Sequence, residues 1–484
     1  MKNKVCIIRN QNASYSLLPP YHPDLQYPEL VIKENFDPSN KIFSMVRESF
    51  FKLGYDSPNY NTDKWNPLGW LINPGETVFI KPNMISHKHL LNDDWDYVIT
   101  HGSVIRAVVD YVYIALKGEG KIIIGDGPQT DSDYDKIIER MSLRQIQELY
   151  KKYGFCIELI DLRKERWMEK EGVFIDTLKL AGDPYGSLSV DLGKDSMFHE
   201  LDNMGKKYYG AFYDTDETNL HHSNGKHEYA VCRSPVAADV FINIPKLKTH
   251  NKCGLTINLK SLVGINANKN WLPHYIFGSP ETGGDQFNKE TFKGSLEIFM
   301  VTLIKKVLLK KIPIVQLLAQ KGKKIAYKIF GNSEEVIRSG NWHGNDTVWR
   351  MCLDLNRIVL YADKNGILDP ENMKRYFSVV DGIASMEGNG AVAGSSKETG
   401  LIIAGEDPIS VDCVCALIMG FDYRKIQLLA RAFDISRYPL FSHKYDEIAV
   451  ISNNYEWNGS ITSINKDTLL YFKPPFGWIG HMEI

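Results

Sequence analysis

The chain has 484 residues, of which 43% are hydrophobic and 24% are charged, as in an ordinary globular protein with a large core. Its formal net charge of −2 gives no reason to expect nucleic acid as a partner, and no apolar run is long enough to predict a membrane-spanning helix. Seven scattered cysteines and a short polar start, without the apolar segment of a signal peptide, predict a reduced, cytoplasmic protein.

Two apolar segments near the amino terminus predict buried strands. The first is Val5–Ile8, and the second is Glu76–Ile80, which runs directly into Lys81 and a proline. Because proline cannot donate a hydrogen bond to a sheet, the second strand should stop there. Lys81 and Asn83 are then expected at the end of the sheet, where both could bind a substrate.

The polar loop that follows carries His87 and His89. Two histidines in this spacing can ligate a metal, with Asp126 as a further ligand, so the sequence predicts a candidate metal site. Exposed loop histidines without a metal are more common, and a plain solvated loop is therefore the alternative interpretation.

His101 and Asp126 flank a predicted helix and strand. His101 precedes the helix Val104–Leu116, whose first N–H groups attract anions, although a turn residue bound to the helix cap fits equally well. The strand Lys121–Ile124 places Asp126 at its carboxyl end, where an acid can transfer a proton or bind a metal or a sugar hydroxyl. A turn-forming Asp-Gly pair is the alternative. A strand, a helix and a further strand in this order form a parallel crossover. This arrangement predicts an α/β fold with mainly parallel sheet flanked by helices.

The domain organisation is predicted from the two places where the alternation of strands and helices stops. Residues from about 165–230 contain short strands and many Gly, Asp and Tyr residues, which predict a β and loop insertion. Residues 266–340 are expected to form a long polar loop and a basic amphipathic helical insertion. The α/β core should then comprise residues 1–265 and 341–484.

The basic insertion is the stretch Lys293–Lys328, which holds nine lysines and a single acid among many apolar residues. This combination is typical of a helix at a membrane surface, and it predicts a peripheral contact with the inner face of the membrane. The lysines do not cluster on one helical face, however, and Pro313 interrupts the stretch. A helical lid over the core is the alternative interpretation.

The strand Val240–Ile244 is the centre of the predicted site. A proline ends it, and Lys246, Lys248 and His250 follow at alternating positions, which point to one side of an extended chain. Lys260 lies a short distance further along. Because ligands bind at the carboxyl ends of strands in open α/β sheets, we expect these lysines to bind an anion. A solvated lysine-rich loop is the alternative.

The carboxy-terminal half repeats this design. The strand Phe377–Val380 ends in Asp381, and a glycine-rich segment with Glu387 and Asn389 follows. Backbone N–H groups of such a segment can approach an anion closely. Upstream, His343 lies just before a predicted helix. Another residue is suited to cap that helix, so capping does not explain why a histidine stands here.

Several of these segments, in this order, resemble the domain-of-unknown-function family 362. The segments are Phe79–Asn83, Ile124–Pro128, Asn243–His250, Asn258–Gly264, Val380–Ile383 with Glu387–Gly390, and Asp407–Asp412. The resemblance implies an α/β fold. It also implies a ferredoxin-like iron–sulfur domain in some members, whose cysteine spacing this chain lacks. Residues 341–346 resemble a longer subgroup that is associated with surface-polysaccharide gene clusters.

The first functional hypothesis is an enzyme that acts on an anionic small molecule, namely a phosphorylated, nucleotide-linked or lipid-linked sugar of surface-polysaccharide biosynthesis. The predicted substrate-binding residues are Lys81, Asn83, Lys246, Lys248, Lys260 and Asn389. The predicted catalytic residues are Asp126, His101, His250, Asp381, Glu387 and His343. The acids among them also allow a divalent cation that bridges to phosphate. Residue types alone do not specify the reaction.

This hypothesis depends on one geometric expectation. If each of four charged residues ends a neighbouring parallel strand, all four should meet in a single cleft. The four residues are Lys81, Asp126, Lys246 and Asp381.

Two alternatives come from other classes of protein. The first is a redox protein associated with a metal or an iron–sulfur cluster, and its candidate ligands are His87, His89, His101, His250 and Asp126. The second is a non-catalytic scaffold that docks on a membrane through Lys293–Lys328.

Overall fold

The computed structural model describes residues 3–170, 173–202, 205, 207–210, 214–290 and 336–484. These residues have an α/β fold, so the predicted fold class is confirmed. The strands are β1 (Lys4–Arg9), β2 (Thr77–Pro82), β3 (Lys121–Asp126), β4 (Ile157–Asp161), β5 (Glu165–Lys170), β6 (Val173–Lys179), β7 (Ser187–Asp191), β8 (Tyr208–Gly210), β9 (His222–Ser223), β10 (Lys226–Cys232), β11 (Val240–Ile244), β12 (Lys246–His250), β13 (Gly254–Thr256), β14 (Pro273–Ile276), β15 (Arg375–Glu387), β16 (Ser395–Gly405), β17 (Ala449–Ser452) and β18 (Gly459–Ser460). The α-helices are α1 (Lys41–Lys52), α2 (Gly102–Leu116), α3 (Tyr134–Arg140), α4 (Leu143–Lys152), α5 (Thr215–His221), α6 (Arg233–Ala237), α7 (Asn258–Ser261), α8 (Val348–Tyr361), α9 (Pro408–Ile418) and α10 (Gln427–Ala430).

One large, mostly parallel sheet organises the fold, with its strands in the order β18-β17-β1-β16-β15-β11-β2-β3-β4. Neighbouring strands from β15 to β4 run parallel, so their carboxyl ends lie along one edge. The strand β11 lies within this parallel part, and all five of its residues are buried. Continuous burial is expected for a parallel strand that is covered on both faces.

Side chains of the sheet alternate between two cores, one on each face. Val78 and Ile80 of β2 belong to the core that contains residues of α1 and α2. Phe79, between them, belongs to the core that contains residues of α8 and α9. This alternation follows from the two-residue period of a strand, and it explains why the strands are apolar at successive positions.

The chain continues past Pro245 as the strand β12, which is an extended segment as predicted and not the solvated loop of the alternative. This strand pairs antiparallel with β13 and parallel with the second half of β15. The proline lacks a donor but keeps its acceptor, and the Asp381 N–H donates to the Pro245 carbonyl at 2.8 Å. Pairing therefore passes across the proline, and β15 is correspondingly longer than predicted.

Residues 135–153 have the apolar spacing of one amphipathic helix, but they form two helices, α3 and α4. Ser142 lies between them with a φ of 54°, a left-handed conformation that a helix cannot continue. The Tyr21 hydroxyl donates to the Ser142 Oγ at 3.0 Å. The break thus coincides with a contact to a distant part of the chain, which helical periodicity does not reveal.

Residues 165–230 contain small β structures outside the main sheet, namely the hairpin β5–β6, the sheet β7-β10-β9 and the pairing of β8 with β14. They are fastened to α8 through Asp354, which accepts the Met197 N–H and the Tyr229 hydroxyl, both at 2.9 Å. The domain boundaries given above remain a prediction. The stretch Lys293–Lys328 lies outside the described residues. Among the helices that are described, none is long and apolar enough to span a membrane.

Candidate functional site

A buried ion pair joins the ends of β2 and β3. The Lys81 Nζ lies 2.9 Å from the Asp126 Oδ1, and the two side chains are 1% and 5% exposed. The backbone N–H groups of Met84 and Gly127 donate to the same carboxylate at 2.8 and 2.9 Å. Burial lowers the pKa of Lys81, and the Asp126 carboxylate opposes that shift. The pair is therefore held in one arrangement by the protein itself.

Gly264 closes over this pair. Its carbonyl accepts the Gly127 N–H at 2.8 Å, and a Cβ atom on Gly264 would lie 1.8 Å from the Asp126 Oδ1. Only glycine allows the backbone to come so near the carboxylate. The same segment supplies Ser261, whose Oγ accepts a hydrogen bond from the Lys81 Nζ at 3.0 Å.

The ion pair lines a cavity of about 380 Å³ at the carboxyl edge of the sheet. The described lining includes a single carboxylate, that of Asp126. It includes four lysines, which are Lys81, Lys252, Lys260 and Lys269. Asn83 and His250 also face this space. A surplus of cations at the ligand-binding edge of an α/β sheet favours an anionic ligand.

Two of these lysines donate to backbone carbonyls rather than to acids. The Lys252 Nζ donates to the Ser339 carbonyl and lies 5.1 Å from the centre of the Tyr275 ring. The Lys269 Nζ donates to the Gly127 carbonyl at 2.9 Å. Burial lowers the pKa of Lys252 to about 8 and that of Lys269 to about 7. Carbonyls offer only partial charge, so both amines lack a full counter-charge when protonated.

Lys260 faces the cavity and has no partner among the residues that the structure describes. It is 8% exposed, and its Nζ forms no hydrogen bond or ion pair with any residue that the structure describes. Its helix, α7, is anchored by Asp412, which accepts the N–H groups of Asn258 and Leu259 at 2.9 and 3.0 Å. The charge of Lys260 also lowers the pKa of several lysines and histidines around it.

His250 lines the same cavity and is neutral. Its Nδ1 accepts the Lys252 N–H at 3.1 Å, so the ring proton of the neutral form is on Nε2. Burial, followed by the charge of Lys260, lowers the pKa of His250 well below the ordinary value. Burial likewise lowers the pKa of His274 to about 3. A neutral imidazole of this kind can donate a hydrogen bond to a ligand or take part in proton transfer.

Lys246 and Asp381 form a second, separate cluster. The Lys246 Nζ lies 3.0 Å from the Asp381 Oδ2, and both side chains are 0% exposed. The Tyr15 hydroxyl donates to the Asp381 Oδ1 at 2.7 Å and accepts a hydrogen bond from Lys246. The His101 N–H donates to Oδ2 at 2.9 Å. The first ion pair lines the cavity and the second does not, so the predicted cleft divides into an open part and a closed part.

His101 caps the helix α2. Its Nδ1 accepts the Ser103 N–H at 3.2 Å, and its ring stacks on Tyr15 with 4.1 Å between the ring centres. Burial lowers the pKa of His101 to about 3, so the ring is neutral near pH 7. The structure thus shows His101 as the cap of this helix, and its catalytic role stays a prediction.

Lys248 is also fully buried and does not line the cavity. Its Nζ donates to the carbonyls of Val98 and Ala391 at 2.7 and 3.2 Å. Burial, followed by the charge of Lys246, lowers the pKa of Lys248 well below the ordinary lysine value. This side chain therefore ties separate loops together in the present arrangement.

Three further predicted site residues, besides Lys246, Lys248, Asp381 and His101, also lie outside the cavity lining. Glu387 forms an ion pair with Lys397 at 3.0 Å. Asn389 accepts an N–H of the carboxy-terminal tail at 2.8 Å, and His343 stacks on His481 with 3.5 Å between the ring centres. The structure thus places Glu387 where β15 pairs with β16. It places Asn389 and His343 against the carboxy-terminal tail.

The predicted metal ligands do not come together in the described part of the chain. The Nδ1 of His87 accepts the Asp133 N–H at 3.1 Å, and the His89 Nε2 donates to the Gly394 carbonyl at 2.9 Å. With Asp126, these donor atoms do not form a group that could hold one ion. A metal at this position would require a rearrangement of the loop, and the site stays a prediction.

Sequence reasoning did not select Lys252, Lys269 or Tyr15. A signal existed for Lys252, which continues the alternation of Lys246, Lys248 and His250. Lys269 lies in the polar loop, where nothing distinguishes it from its neighbours. Tyr15 meets Asp381 across 366 positions of sequence, a contact that no local pattern predicts.

The family comparison covers the segments that form the site. The model of a family described as a domain of unknown function (DUF362) matches residues 78–187 and 198–417, which include both buried ion pairs and most of the cavity lining. A comparison with curated proteins gives no match. Since the family model covers well over half of its length, the chain belongs to the DUF362 family, as its motifs predicted.

Proposed function

We propose that this chain is an enzyme that acts on an anionic small molecule bound in the cavity beside Lys81 and Asp126. The ligand class is a phosphorylated, nucleotide-linked or lipid-linked sugar. The observation that carries the proposal is the charge of the lining, in which four lysines accompany one carboxylate that is already paired. A bound anion would supply the missing negative charge and would accept charge-assisted hydrogen bonds.

The protonation of the lining supports an anion over a neutral ligand. With pKa values of about 8 for Lys252 and about 7 for Lys269, both amines lose protons around neutral pH. A nearby phosphate favours the charged amines and raises both pKa values. Binding should therefore be accompanied by proton uptake near pH 7.5, which a neutral ligand would not cause.

The size of the cavity favours a small or elongated ligand. Its volume of about 380 Å³ is near the lower end of the range for ligand pockets, which is roughly 300 to 1,000 Å³. A second pocket of about 340 Å³ shares Thr130 and Lys269 with it and adds Glu217 and Asn268. In the proposal, the lysines hold the phosphate, and the acid and amide of the second pocket face sugar hydroxyls.

Asp126 and His250 are the proposed proton-transfer groups, because both line the cavity that would hold the ligand. Lys81 orients the Asp126 carboxylate through their ion pair. Lys246, Asp381 and His101 act as positioning residues in this proposal, since their cluster does not line the cavity. A divalent cation that bridges Asp126 to phosphate is compatible with this proposal.

The cellular setting is part of the same proposal. The resemblance of residues 341–346 to a subgroup linked with surface polysaccharide suggests a cytoplasmic step in making sugar precursors. A peripheral membrane contact through Lys293–Lys328 would bring a lipid-linked substrate to the cavity. We place the enzyme ahead of a redox protein or a scaffold because the charged cavity directly supports it.

Isothermal titration with sodium sulfate and pyrophosphate tests the binding step, followed by a thermal-shift screen of sugar phosphates and sugar nucleotides. The variant Lys260→Met should weaken anion binding at least about tenfold, because a charge-assisted hydrogen bond contributes about 1.5–3 kcal/mol. The matched control Lys88→Met removes an exposed lysine, 44% exposed, and should bind as the wild type does. Equal binding by wild type and Lys260→Met would contradict the proposal.

Turnover tests the catalytic part. Once the screen gives a ligand, Asp126→Asn should lose conversion, and because it leaves the buried Lys81 without its acid, its melting temperature with and without ligand shows whether it still folds and binds. Full conversion by this variant would show that Asp126 has no catalytic role. Ligand binding without any product in the wild type would favour a binding protein over an enzyme.

A further inference from the structure

A group of metal-ligand residues lies away from the cavity, in the segment of small β structures. It consists of His199, Asp202 and His227. The His199 Nδ1 lies 2.9 Å from the Asp202 Oδ2, and the His227 Nε2 lies 3.2 Å from the Asp202 Oδ1. One donor atom from each residue lies within 4.8 Å of the others.

His227 is the residue that points to a ligand. It is 0% exposed, and neither of its ring nitrogens has a hydrogen-bond partner among the described residues. The carboxylate of Asp202 is close to Nε2 but is not aligned to accept a hydrogen bond from it. Buried polar nitrogens in folded proteins nearly always have a partner, so a bound ion would supply what the described residues do not give this ring.

The backbone around the group is fixed. The N–H of His227 donates to the Asp191 Oδ1 at 2.8 Å, and its carbonyl accepts the Leu192 N–H at 3.1 Å. On the other side, His199 begins a 3-10 turn, and the Asp202 N–H donates to the His199 carbonyl at 3.1 Å. The donors therefore come from two anchored segments and do not depend on a flexible loop to meet.

The separations of the donors suit a transition metal. Bonds of about 2.1 Å from one ion set neighbouring donors about 3 to 3.5 Å apart, and the two imidazoles lie 2.9 and 3.2 Å from the two different oxygens of Asp202, so an ion could replace the proton of the 2.9 Å hydrogen bond. Two imidazoles and one carboxylate are ligands that Zn²⁺ prefers, whereas Ca²⁺ and Mg²⁺ prefer oxygen donors alone. His199 has 52% of its side chain exposed, which gives an ion a route from solvent.

We propose that His199, Asp202 and His227 bind one Zn²⁺ ion, with solvent as a further ligand. The ion joins the 3-10 turn to β10 and so clamps the segment that also supplies Tyr209 and Gly210 to the cavity lining. Its role is therefore structural. This inference does not depend on the proposed function, because the site shares no residue with the cavity.

Metal analysis and titration of the full chain, purified without a tag, test the site. After treatment with EDTA, the protein should take up one equivalent of Zn²⁺. Cobalt should give the visible absorption of a four- or five-coordinate site, and Zn²⁺ should raise the melting temperature. A wild-type chain that binds no stoichiometric Zn²⁺ or Co²⁺ would overturn the proposal.

Variants separate the site from adventitious binding. His199→Ala changes an exposed side chain and should fold, yet it should weaken Zn²⁺ binding at least about tenfold, as should Asp202→Asn. The matched control is His443→Ala, which removes a surface histidine that also lies beside an acid, with 3.7 Å between His443 Nδ1 and Glu447 Oε2. Equal binding by His199→Ala, Asp202→Asn and the control would refute the assignment.

Discussion

Replacing Asp381 with asparagine should destabilise the fold strongly although it hardly changes the volume of the side chain. Asparagine keeps one of the two oxygens that now accept from the Tyr15 hydroxyl and the His101 N–H, and it removes the carboxylate beside Lys246. Because both side chains are 0% exposed, solvent cannot supply the missing charge. Removal of one partner of a buried ion pair costs about 3–5 kcal/mol.

The deprotonation of Lys246 sets an upper limit on this cost. An ordinary lysine has a pKa of 10.5, so holding the amine neutral at pH 7 costs about 1.4 kcal/mol for each of about 3.5 pH units, or about 5 kcal/mol. The folded variant then binds one proton fewer than the unfolded chain, and its stability rises with pH. The deficit relative to wild type should shrink as the pH rises, by at most about 1.4 kcal/mol per pH unit, because burial lowers the pKa of Lys246 in the wild type as well.

Urea unfolding followed by tryptophan fluorescence at pH 7 and pH 9 measures both quantities. The matched control is Asp131→Asn, which breaks an exposed pair of 2.8 Å with Lys88 and should cost about 0–1 kcal/mol at either pH. A loss below about 1 kcal/mol for Asp381→Asn at pH 7 would refute the reasoning, and so would a loss that stays constant up to pH 9.

Three further predictions concern the cavity and the cap. Gly264→Ala places a Cβ atom 1.8 Å from the Asp126 Oδ1, so it should displace the ion pair and abolish anion binding in titration calorimetry. Sulfate does not titrate near neutral pH, so it should bind more weakly as the pH rises through about 7 to 8, where Lys269 and Lys252 lose their protons. A constant affinity from pH 6 to 9 would contradict the assignment of these lysines to the anion site. His101→Ala should cost about 1 kcal/mol of stability because the helix cap is lost, whereas His101→Asn keeps the cap. Both variants should lose stability less steeply than the wild type between pH 6 and pH 4, because the unfolded wild type binds a proton there that the folded wild type excludes.

The parallel part of the sheet was predictable because each strand is a continuous apolar run. β2, β3 and β11 are buried on both faces, so their sequences contain few polar residues until the strand ends. The parallel connection of β2 to β3 then placed Lys81 and Asp126 together at one edge. The positions of these two residues depend only on the local apolar pattern and on the right-handed crossover between parallel strands. Both can be recognised in a single sequence.

The division of the site into an open and a closed part was not predictable in the same way. A lysine at the end of a strand looks the same in sequence whether it faces a cavity, as Lys81 does, or a distant acid, as Lys246 does. The difference arises because β12 continues beyond Pro245 and pairs with β15. Tyr15, from near the amino terminus, covers the resulting pair. Contacts between segments hundreds of residues apart decide burial, and local periodicity contains no information about them.

The position of β15 within the sheet has a consequence for synthesis on the ribosome. This strand lies between β11 and β16, yet about 130 residues of chain separate Ile244, where β11 ends, from Arg375, where β15 begins. At roughly 5 to 20 residues per second, translation of that interval takes on the order of ten seconds. Throughout it, the nascent chain exposes an unpaired strand edge and a lysine without its acid. Chaperones that shield emerging polypeptides should therefore engage this protein midway through translation, and pausing of ribosomes between these codons should increase its aggregation.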